Sequence, residues 1–366
     1  MPRTTPIETL RGRIDRIDDR LLGLLNARAR LVQQVGTEKA HSAAAVYDPA
    51  REKQIVERMM QASTGPLETE AVRAIFGEII SASRALEQRL RVSFFGPAAT
   101  FTHLAARRQF GDQVDYLPAP TVADVFLAVE RAQANMGVVP VENTTEGAVA
   151  RTLDLLVDSP LSICAEVMLP VTHCLLARPG TTLGGVRRVV AHPQALGQCR
   201  RWLVANLPGV AGEEEASNAR AAERAAVEEG TAAIAAEAAA TTYGLDILVP
   251  AIQDEADNTT RFLVLGPQDS PRASGDDKTS IVFSVRDEVG ILVRMLRPLA
   301  SHGIDLIKIE SRPLHERPWE YYFFVDLKGH RTEARVRRAL AEVSKRALRL
   351  RVLGSYPAAC NGTGAS

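Results

Sequence analysis

The change in hydrophobic periodicity near residue 91 constrains the fold of this 366-residue chain more than any other feature of its sequence. Before that point, apolar residues recur only at helical spacing. After it, short apolar runs alternate with helical patterns, as in VSFFG followed by HLAARRQFG, and RRVVAHPQ followed by CRRWLVANL. Strands that alternate with helices predict parallel sheets covered by helices. The sequence therefore predicts a helical region followed by α/β structure.

A second boundary lies in the polar stretch GPQDSPRASGDDK at residues 266–278. The segments beyond it follow the order strand, helix, strand, strand, helix, strand, which is typical of a ferredoxin-like α+β unit. We therefore predict a multidomain chain. The expected domains are an all-helical domain at 1–90, an α/β domain at 91–268 and an α+β domain at 278–356.

Composition excludes several classes of function. Lysine plus arginine equals aspartate plus glutamate at 44 each, so net charge favours neither nucleic acid nor an anionic membrane as a partner. No apolar run approaches the roughly 18 residues of a membrane span, and the N-terminus lacks the apolar core of a signal peptide. We therefore expect a cytoplasmic protein. The four cysteines lack metal-ligand spacing, so no metal is expected.

The first predicted helix carries a charge in its apolar seam. The seam consists of Leu10, Ile14, Ile17, Leu21, Leu24, Leu31 and Val35. Arg28 lies within it and requires an anion, either a neighbouring carboxylate or a ligand, because an unpaired buried charge is costly. Lys39 returns to within about 20° of the same helix face. Arg11 lies about 25 Å from Arg28 on a straight helix, so it could join this site only from a second, antiparallel chain.

Two further motifs extend this pattern of charges. YDPAREKQ places Asp48, Arg51 and Glu52 within one helical turn, and ASRALEQ places Ser83 and Glu87 on one helix face. A helical dimerisation arm with surface ion pairs would explain any one of these residues. Taken together, the motifs resemble the all-helical chorismate mutase family, in which protomers exchange their long first helices in a dimer. The site residues implied by this resemblance are Arg11, Arg28, Lys39, Asp48, Arg51, Glu52, Ser83 and Glu87.

The chemistry implied by this resemblance suits those residues. Rearrangement of chorismate to prephenate is pericyclic, so it needs a held conformer and stabilised charge rather than a nucleophile or cofactor. The resemblance implies that Arg11 and Arg28 hold the two carboxylates, with Lys39 and Glu87 donating to the ether oxygen. Asp48 and Glu52 would contact the substrate hydroxyl and the backbone. Some family members carry glutamine at position 87. A glutamate donates only when protonated, so we predict mutase activity that falls as Glu87 loses its proton.

Three polar clusters sit at the ends of predicted strands in the middle region. They are GPAATF (96–101), PVENTTEG (140–147) and DNTTRF (257–262). Strand ends are where ligands bind in open α/β sheets, although each cluster alone could be a turn or a helix cap. With AHPQALGQC and AAIAAEAAATTYGLDIL, they resemble prephenate dehydratase, a two-lobed α/β domain similar to periplasmic binding proteins.

This second resemblance implies roles for the DNTTRF stretch. Thr260 would donate or relay a proton to the departing hydroxyl of prephenate, Arg261 would bind a carboxylate and Phe262 would line the pocket. Further substrate contacts are expected from Asn143, Thr144 and Gln198. Ala99 and Ala191 depart from the family pattern, and Ala99 would be strained if its turn requires positive φ. His173 and His192 lack a paired carboxylate or cysteine in the sequence, so we expect them to be structural.

The C-terminal stretch EVGILVRMLRPLASHGIDLIKIESRP resembles the ACT regulatory domain, which binds phenylalanine between paired domains. The implied contacts are Gly290, Ile291, Leu292, Val293, Glu310, Ser311, Arg312 and Pro313. Ile291 replaces a customary alanine and could narrow the pocket or merely repack. A dimerisation sheet without a ligand is the alternative.

The resemblances together imply a homodimer that acts on chorismate and then on prephenate, responds to phenylalanine and needs no cofactor. Two other interpretations fit parts of the sequence. One is a non-catalytic regulator that binds small acids, and the intact Thr260-Arg261-Phe262 run argues against it. The other is a dehydratase with a helical dimerisation arm, which the retained charges of the first region disfavour.

Overall fold

The structure, a computed structural model, describes residues 6–42, 47–286, 288–313 and 321–359. These residues form two compact units. The first is made mainly of the N-terminal helices and also includes Phe110–Asp115. The second contains Pro49–Lys53, Arg91–Gln109 and the chain from Tyr116 onward. No helix among the described residues is long and apolar enough to cross a membrane.

The N-terminal region is helical, as predicted. Its helices are α1 (Pro6–Ser42), α2 (Pro49–Ala62) and α3 (Thr69–Glu87). α1 packs against α3, where Val72 and Ile80 are buried. The predicted apolar seam of α1 does not lie in this contact, because each of its seven apolar residues is at least 50% exposed. Within the described chain, this seam is therefore not part of a core.

A buried arginine joins Phe110–Asp115 to the first unit. Arg84 of α3 is 5% exposed and donates to the Phe110 carbonyl at 2.6 Å. Its guanidinium carbon lies 5.8 Å from the ring centroid of Tyr47 and 5.5 Å from that of Phe110. Cation–π contacts of this kind compensate part of the cost of burying the charge.

The middle region folds into alternating strands and helices. Residues 91–170 contain β1 (Arg91–Phe95), α4 (Phe101–Phe110), β2 (Asp115–Ala119), α5 (Val122–Glu130), β3 (Met136–Asn143), β4 (Gly147–Ala148), α6 (Ala150–Asp158) and β5 (Ser162–Pro170). Residues 174–249 contain β6 (Cys174–Ala177), a 3-10 helix (Leu183–Gly185), β7 (Arg188–Ala191), α7 (Pro193–Gln198), α8 (Arg200–Asn206), β8 (Ala211–Glu214), α9 (Asn218–Val227), β9 (Thr231–Ala235), α10 (Glu237–Tyr243) and β10 (Asp246–Val249). β11 (Thr259–Gly266) ends the region.

These strands form two sheets that are mixed rather than parallel. The first sheet has the order β2-β1-β3-β11-β5, with β4 beside β3, and the second has the order β10-β6-β9-β7-β8. β1 runs parallel to β3, and β7 runs parallel to β8 and β9. β11 is antiparallel to both β3 and β5, because the chain returns from the second sheet and enters the first from the opposite direction. The strand–helix alternation did not indicate this return.

The C-terminal region has the predicted order of elements. They are β12 (Asp277–Val285), α11 (Ile291–Ser301), β13 (Leu306–Pro313), β14 (Tyr321–Lys328), α12 (Ala334–Ser344) and β15 (Arg349–Pro357). The third sheet has the order β13-β14-β12-β15, and all of its pairs are antiparallel. One face shares a hydrophobic core with the first sheet, where Phe324 and Tyr356 pack with Leu156 and Ile163. The first and third sheets therefore share buried contacts.

Candidate active sites

The backbone fixes Thr260 beside Asn143. In β11, Thr260 lies opposite Asn143 of β3 on one side and Leu169 of β5 on the other. The ladder with β3 then shifts register between Arg261 and Phe262. Such a bulge redirects side chains next to active sites. Successive side chains of a strand point to opposite faces, so Thr260 and Arg261 serve different surroundings.

A chain of amide hydrogen bonds surrounds the Thr260 hydroxyl. Asn143 Nδ2 donates to Thr260 Oγ1 at 2.8 Å and to Asn258 Oδ1 at 2.7 Å. Asn258 Nδ2 donates to Gln198 Oε1 at 3.0 Å. Because Thr260 Oγ1 accepts from Asn143, its own proton is directed elsewhere, and no described residue accepts it. The sequence named Asn143, Gln198 and Thr260, and the structure brings these three together.

The same network includes residues that the sequence interpretation did not assign to the site. Gln198 Oε1 is 2.9 Å from His173 Nε2, and Gln198 Nε2 donates to Glu146 Oε1 at 3.2 Å. Gln194 Nε2 also donates to Glu146. Asn258 and Glu146 lie inside the DNTTRF and PVENTTEG stretches, so their position in those motifs was the available signal. His173 had no comparable local signal.

His173 occupies the network as a neutral imidazole. It is 2% exposed, and burial lowers the pKa of its ring, although the hydrogen bond to Gln198 works against that shift. Gln198 Oε1 accepts from Asn258 Nδ2, which identifies it as the amide oxygen. An amide oxygen cannot donate, so His173 must donate to it from Nε2. Its Nδ1 atom is buried without a hydrogen-bond partner among the described residues. The ring of Phe101 packs edge-on against it at 5.5 Å. His192, by contrast, caps the N-terminus of α7.

A cavity of about 410 Å³ opens beside this network. Its wall consists of Thr145, Glu146, Gln194, Gly197, Gln198, Arg201, Gln253, Asp254, Glu255 and Asn258. The volume lies within the range of small-molecule sites. The wall carries three carboxylates, and the guanidinium of Arg201 is 2.6 Å from Glu255 and 3.7 Å from Asp254. Arg201 is the only cation of the described wall, and in this conformation it is already paired with the carboxylates of Asp254 and Glu255.

Arg261 does not line that cavity. Its side chain is 9% exposed and donates to Glu166 Oε2 at 2.8 Å, Asp326 Oδ2 at 2.5 Å and the Tyr356 hydroxyl at 3.0 Å. Asp326 and Tyr356 belong to the third sheet. The sequence interpretation placed Arg261 on a substrate carboxylate, but the alternation of β11 directs it to the other face. Its donors are taken by protein groups here.

The two remaining residues that were predicted to contact the substrate here are Thr144, which binds backbone groups, and Phe262, which packs in the core. Thr144 Oγ1 accepts from the Thr259 amide at 2.9 Å and donates to the Asp257 carbonyl at 3.3 Å, so it joins the β3 and β11 ends. Phe262 is 1% exposed and belongs to the packed interior rather than to the described cavity wall. Ala99 has φ of 63°. Positive φ is strained for an alanine, as predicted for this turn.

The first compact unit brings together part of the predicted mutase site. Arg28 of α1 donates to Ser83 Oγ of α3, and Ser83 donates in turn to the Ile79 carbonyl at 2.6 Å. A Cβ added at Gly36 would lie 3.0 Å from Cγ of Glu87, so glycine permits the close approach of Glu87 to α1. Partial burial lowers the pKa of Arg28. Arg28, Ser83 and Glu87 thus lie along the contact between α1 and α3.

The other predicted mutase residues lie elsewhere on these helices. Arg11 is exposed near the start of α1. Asp48 is half-buried just before α2, and Arg51 and Glu52 occupy the first turns of α2. Lys39 falls within α1, but its side chain lies outside the described residues.

One of the two predicted phenylalanine motifs lies at the start of α11, and the other lies at the end of β13. Gly290 has φ of 75° and is the N-cap residue of α11. Ile291 and Leu292 pack against the core of this region, and Val293 is exposed. Glu310, Ser311 and Pro313 form the end of β13. Arg312 makes a bidentate contact with Asp154 of α6, with donor–acceptor distances of 2.9 and 3.1 Å from Nη2.

Comparisons with known proteins follow the same division of the chain. Family models match at residues 10–88 (Chorismate mutase type II), 92–270 (Prephenate dehydratase) and 279–345 (ACT domain). The bifunctional chorismate mutase/prephenate dehydratase of Aquifex aeolicus (strain VF5) is 45% identical over 96% of this chain and 98% of its own.

Two solved structures are similar to nearly three quarters of this chain. A prephenate dehydratase from Arthrobacter aurescens in complex with L-Phe is 34% identical, with a TM-score of 0.69 over 73% of this chain and 90% of its own. GqqA, described as a novel type of quorum quenching acylase, is 31% identical, with a TM-score of 0.68 over 74% and 98%.

These findings define the class of protein as one in which chorismate mutase, prephenate dehydratase and ACT domains are joined in a single polypeptide. The relative from Aquifex aeolicus matches it across nearly its full length. The chain belongs to the bifunctional chorismate mutase/prephenate dehydratase family.

Proposed function

We propose that this protein carries out two consecutive steps of phenylalanine biosynthesis. The helical region rearranges chorismate to prephenate. The first two sheets then convert prephenate to phenylpyruvate by loss of water and carbon dioxide, and phenylalanine acts at the ACT domain to inhibit the enzyme. The observation that carries the second step is the hydroxyl of Thr260, which accepts from Asn143 and so directs its own proton outward.

In this proposal, Thr260 relays a proton to the hydroxyl that leaves prephenate. A threonine hydroxyl is a weak acid, so it works as one member of a hydrogen-bonded relay rather than as an independent acid. Asn143 and Asn258 orient it, and Gln198 completes the network beside the cavity. Aromatisation of the ring supplies the driving force, so the protein has to position the leaving groups and manage one proton.

For the mutase step, Arg28 and the residues along α3 form one half of the site. Arg11 is the missing half, and it comes from the α1 helix of a second copy. Two observations support a homodimer: the exposed apolar seam of α1, and the distance of about 25 Å that an unbroken helix sets between Arg11 and Arg28. Burial of the seam in a dimer would remove a large apolar surface from water.

The fold assignments extend this proposal. The two sheets support a two-lobed architecture like that of periplasmic binding proteins, and so does a cavity lined by Thr145 and Glu146, between β3 and β4 of the first sheet, and by residues of α7, which follows β7 of the second. The βαββαβ order of residues 277–357 supports a ferredoxin-like assignment for the ACT domain. With Gly290 at a helix start and Glu310–Pro313 at a strand end, the two expected phenylalanine motifs lie in one domain.

The test supplies purified protein with chorismate alone and follows chorismate loss and phenylpyruvate formation, with and without phenylalanine. We expect phenylpyruvate, and less of it when phenylalanine is present. Accumulation of prephenate would confine activity to the helical region and contradict the dehydratase assignment.

A matched pair of variants separates chemistry from folding. Thr260→Ala is expected to lower dehydratase turnover by about 100-fold or more, as for loss of a general acid, while mutase turnover is retained. Thr259→Ala is the control, because this neighbour contacts Thr144 only through its backbone. Equal activity of the two variants would contradict the role of Thr260.

A further inference from the structure

The first and third sheets meet at a buried ionic cluster. Its six charged members are Arg261, Lys278, Lys308, Glu142, Glu166 and Asp326. Three cations face three anions, so the charges are balanced. Glu166 is fully buried, and its second oxygen accepts from Lys278 at 2.7 Å and from the Ala359 amide at 2.9 Å. Charges buried to this extent are tolerated only when they are paired and hydrogen-bonded.

Arg261 is the central member of this cluster. It contacts Glu166 of the first sheet, and Asp326 and Tyr356 of the third. Ser280 links the last two, since it donates to Asp326 Oδ1 and lies 2.6 Å from the Tyr356 hydroxyl. Burial raises the pKa of Tyr356, and so does the charge of Asp326, so this side chain remains a neutral phenol. Two of the three groups that hold Arg261 therefore come from the ACT domain.

The cluster lies directly behind the proposed dehydratase site. Thr260 and Asn143 face each other across β11 and β3, and so do their chain neighbours Arg261 and Glu142. Glu142 Oε2 is 2.7 Å from Lys308 Nζ of β13, and Arg261 is bound to Asp326 of β14. Glu142 and Arg261, the chain neighbours of Asn143 and Thr260, are thus both bound by side chains of the third sheet.

The bulge gives this arrangement a direct geometric consequence. The β11–β3 ladder shifts register between Arg261 and Phe262, because these residues pair with Glu142 and Pro140 of β3 and Val141 between them is the extra residue. An extra residue of this kind is left unpaired and disrupts the ladder locally, so side-chain contacts contribute more to holding the two strands together at this point. The side-chain contacts of Arg261 and Glu142, which pair beside this irregularity, therefore help to set the spacing of β11 and β3, and with it the contact between Thr260 and Asn143.

We propose that Arg261 is a positioning residue that connects the ACT domain to the dehydratase site, so that the state of the third sheet sets the position of Thr260. This proposal rests on the proposed function and deepens it. A shift of Asp326 or Tyr356 moves the Arg261 guanidinium and changes the Thr260–Asn143 contact. Phenylalanine then inhibits by favouring the arrangement in which that contact is misaligned, which requires different affinities for the two arrangements.

The test uses Asp326→Asn, which removes the charge paired with Arg261, and Tyr356→Phe, which removes the hydroxyl that accepts from Arg261. Neither change replaces a residue of the dehydratase strands. We expect kcat for prephenate to fall between about tenfold and about a hundredfold while KM is retained, because misplacement affects the reaction more than binding. The phenylalanine concentration for half inhibition is expected to move by at least about fivefold. Mutase turnover in the same samples should be unchanged, which shows that the helical region is folded, and the retained KM for prephenate shows that the dehydratase site is folded.

Arg349→Gln is the matched control. Arg349 also joins the third sheet to the prephenate dehydratase region, through Asp158 and the Val157 carbonyl of α6, but at an exposed position away from β11. It should match the wild type in kcat and in its phenylalanine response. Tyr356→Phe keeps the ring and so provides the result if Asp326→Asn does not fold.

Several outcomes would overturn the inference. Variants that keep both wild-type kcat and wild-type phenylalanine response would show that the cluster is only structural. A raised KM with unchanged kcat would mean that Arg261 contributes to substrate binding instead. If the wild-type protein turns over prephenate but is not inhibited by phenylalanine, the regulatory part of the proposal is wrong. Failure of the proposed function is distinguishable, since the wild type would then leave prephenate untouched.

Discussion

The proposed mutase site can be tested by mixing two inactive variants. Helix α1 is unbroken from Pro6 to Ser42, so Arg11 and Arg28 of one chain are separated by about 25 Å. No single small substrate can contact both. If each site combines Arg28 of one chain with Arg11 of the other, Arg11→Ala and Arg28→Ala should each abolish mutase turnover as homodimers.

A mixed dimer of these variants restores one complete site. The chain carrying Arg11→Ala supplies an intact Arg28, and the chain carrying Arg28→Ala supplies an intact Arg11. The other site of the same dimer lacks both arginines. Random reassociation of equal amounts gives one half mixed dimers, so about one quarter of wild-type turnover is expected.

The assay follows chorismate loss after the two variants are unfolded together, refolded and compared with each variant refolded alone. Dehydratase turnover with prephenate reports the amount of refolded protein. Recovery near a quarter supports the shared site. No recovery in samples that contain mixed dimers, or normal turnover of Arg11→Ala alone, would refute the reasoning.

Two further predictions concern pH. Burial lowers the pKa of His173, so the unfolded chain takes up a proton below about pH 6.5 that the folded chain resists; the free energy of unfolding should therefore fall as pH drops through that range. His173→Gln should flatten this dependence in denaturant titrations at pH 7 and pH 5, and an unchanged slope would count against it. Glu87→Gln should preserve mutase turnover at alkaline pH, since an amide donates at every pH. Identical pH–rate profiles for this variant and the wild type would exclude Glu87 as a donor.

Local patterns in the sequence determined the type and order of most elements. Helical spacing before residue 91, the strand–helix alternation after it and the final βαββαβ order all appear in the structure. The sequence motifs also identified Asn143, Gln198 and Thr260, which the structure joins in one hydrogen-bonded network. These features were accessible because each depends on residues close together in the chain or on a recognisable motif.

Tertiary structure decided what depends on distant partners. The antiparallel entry of β11 into the first sheet follows from the return of the chain, and it decides which face of that sheet Thr260 lies on and which face Arg261 lies on. Arg261 then meets Glu166 and Asp326, which lie 95 and 65 residues away in sequence. The motif establishes that an arginine follows the threonine, but only packing determines which anion it meets. A buried charge takes its role from the groups that compensate it, and those groups are brought to it by the fold.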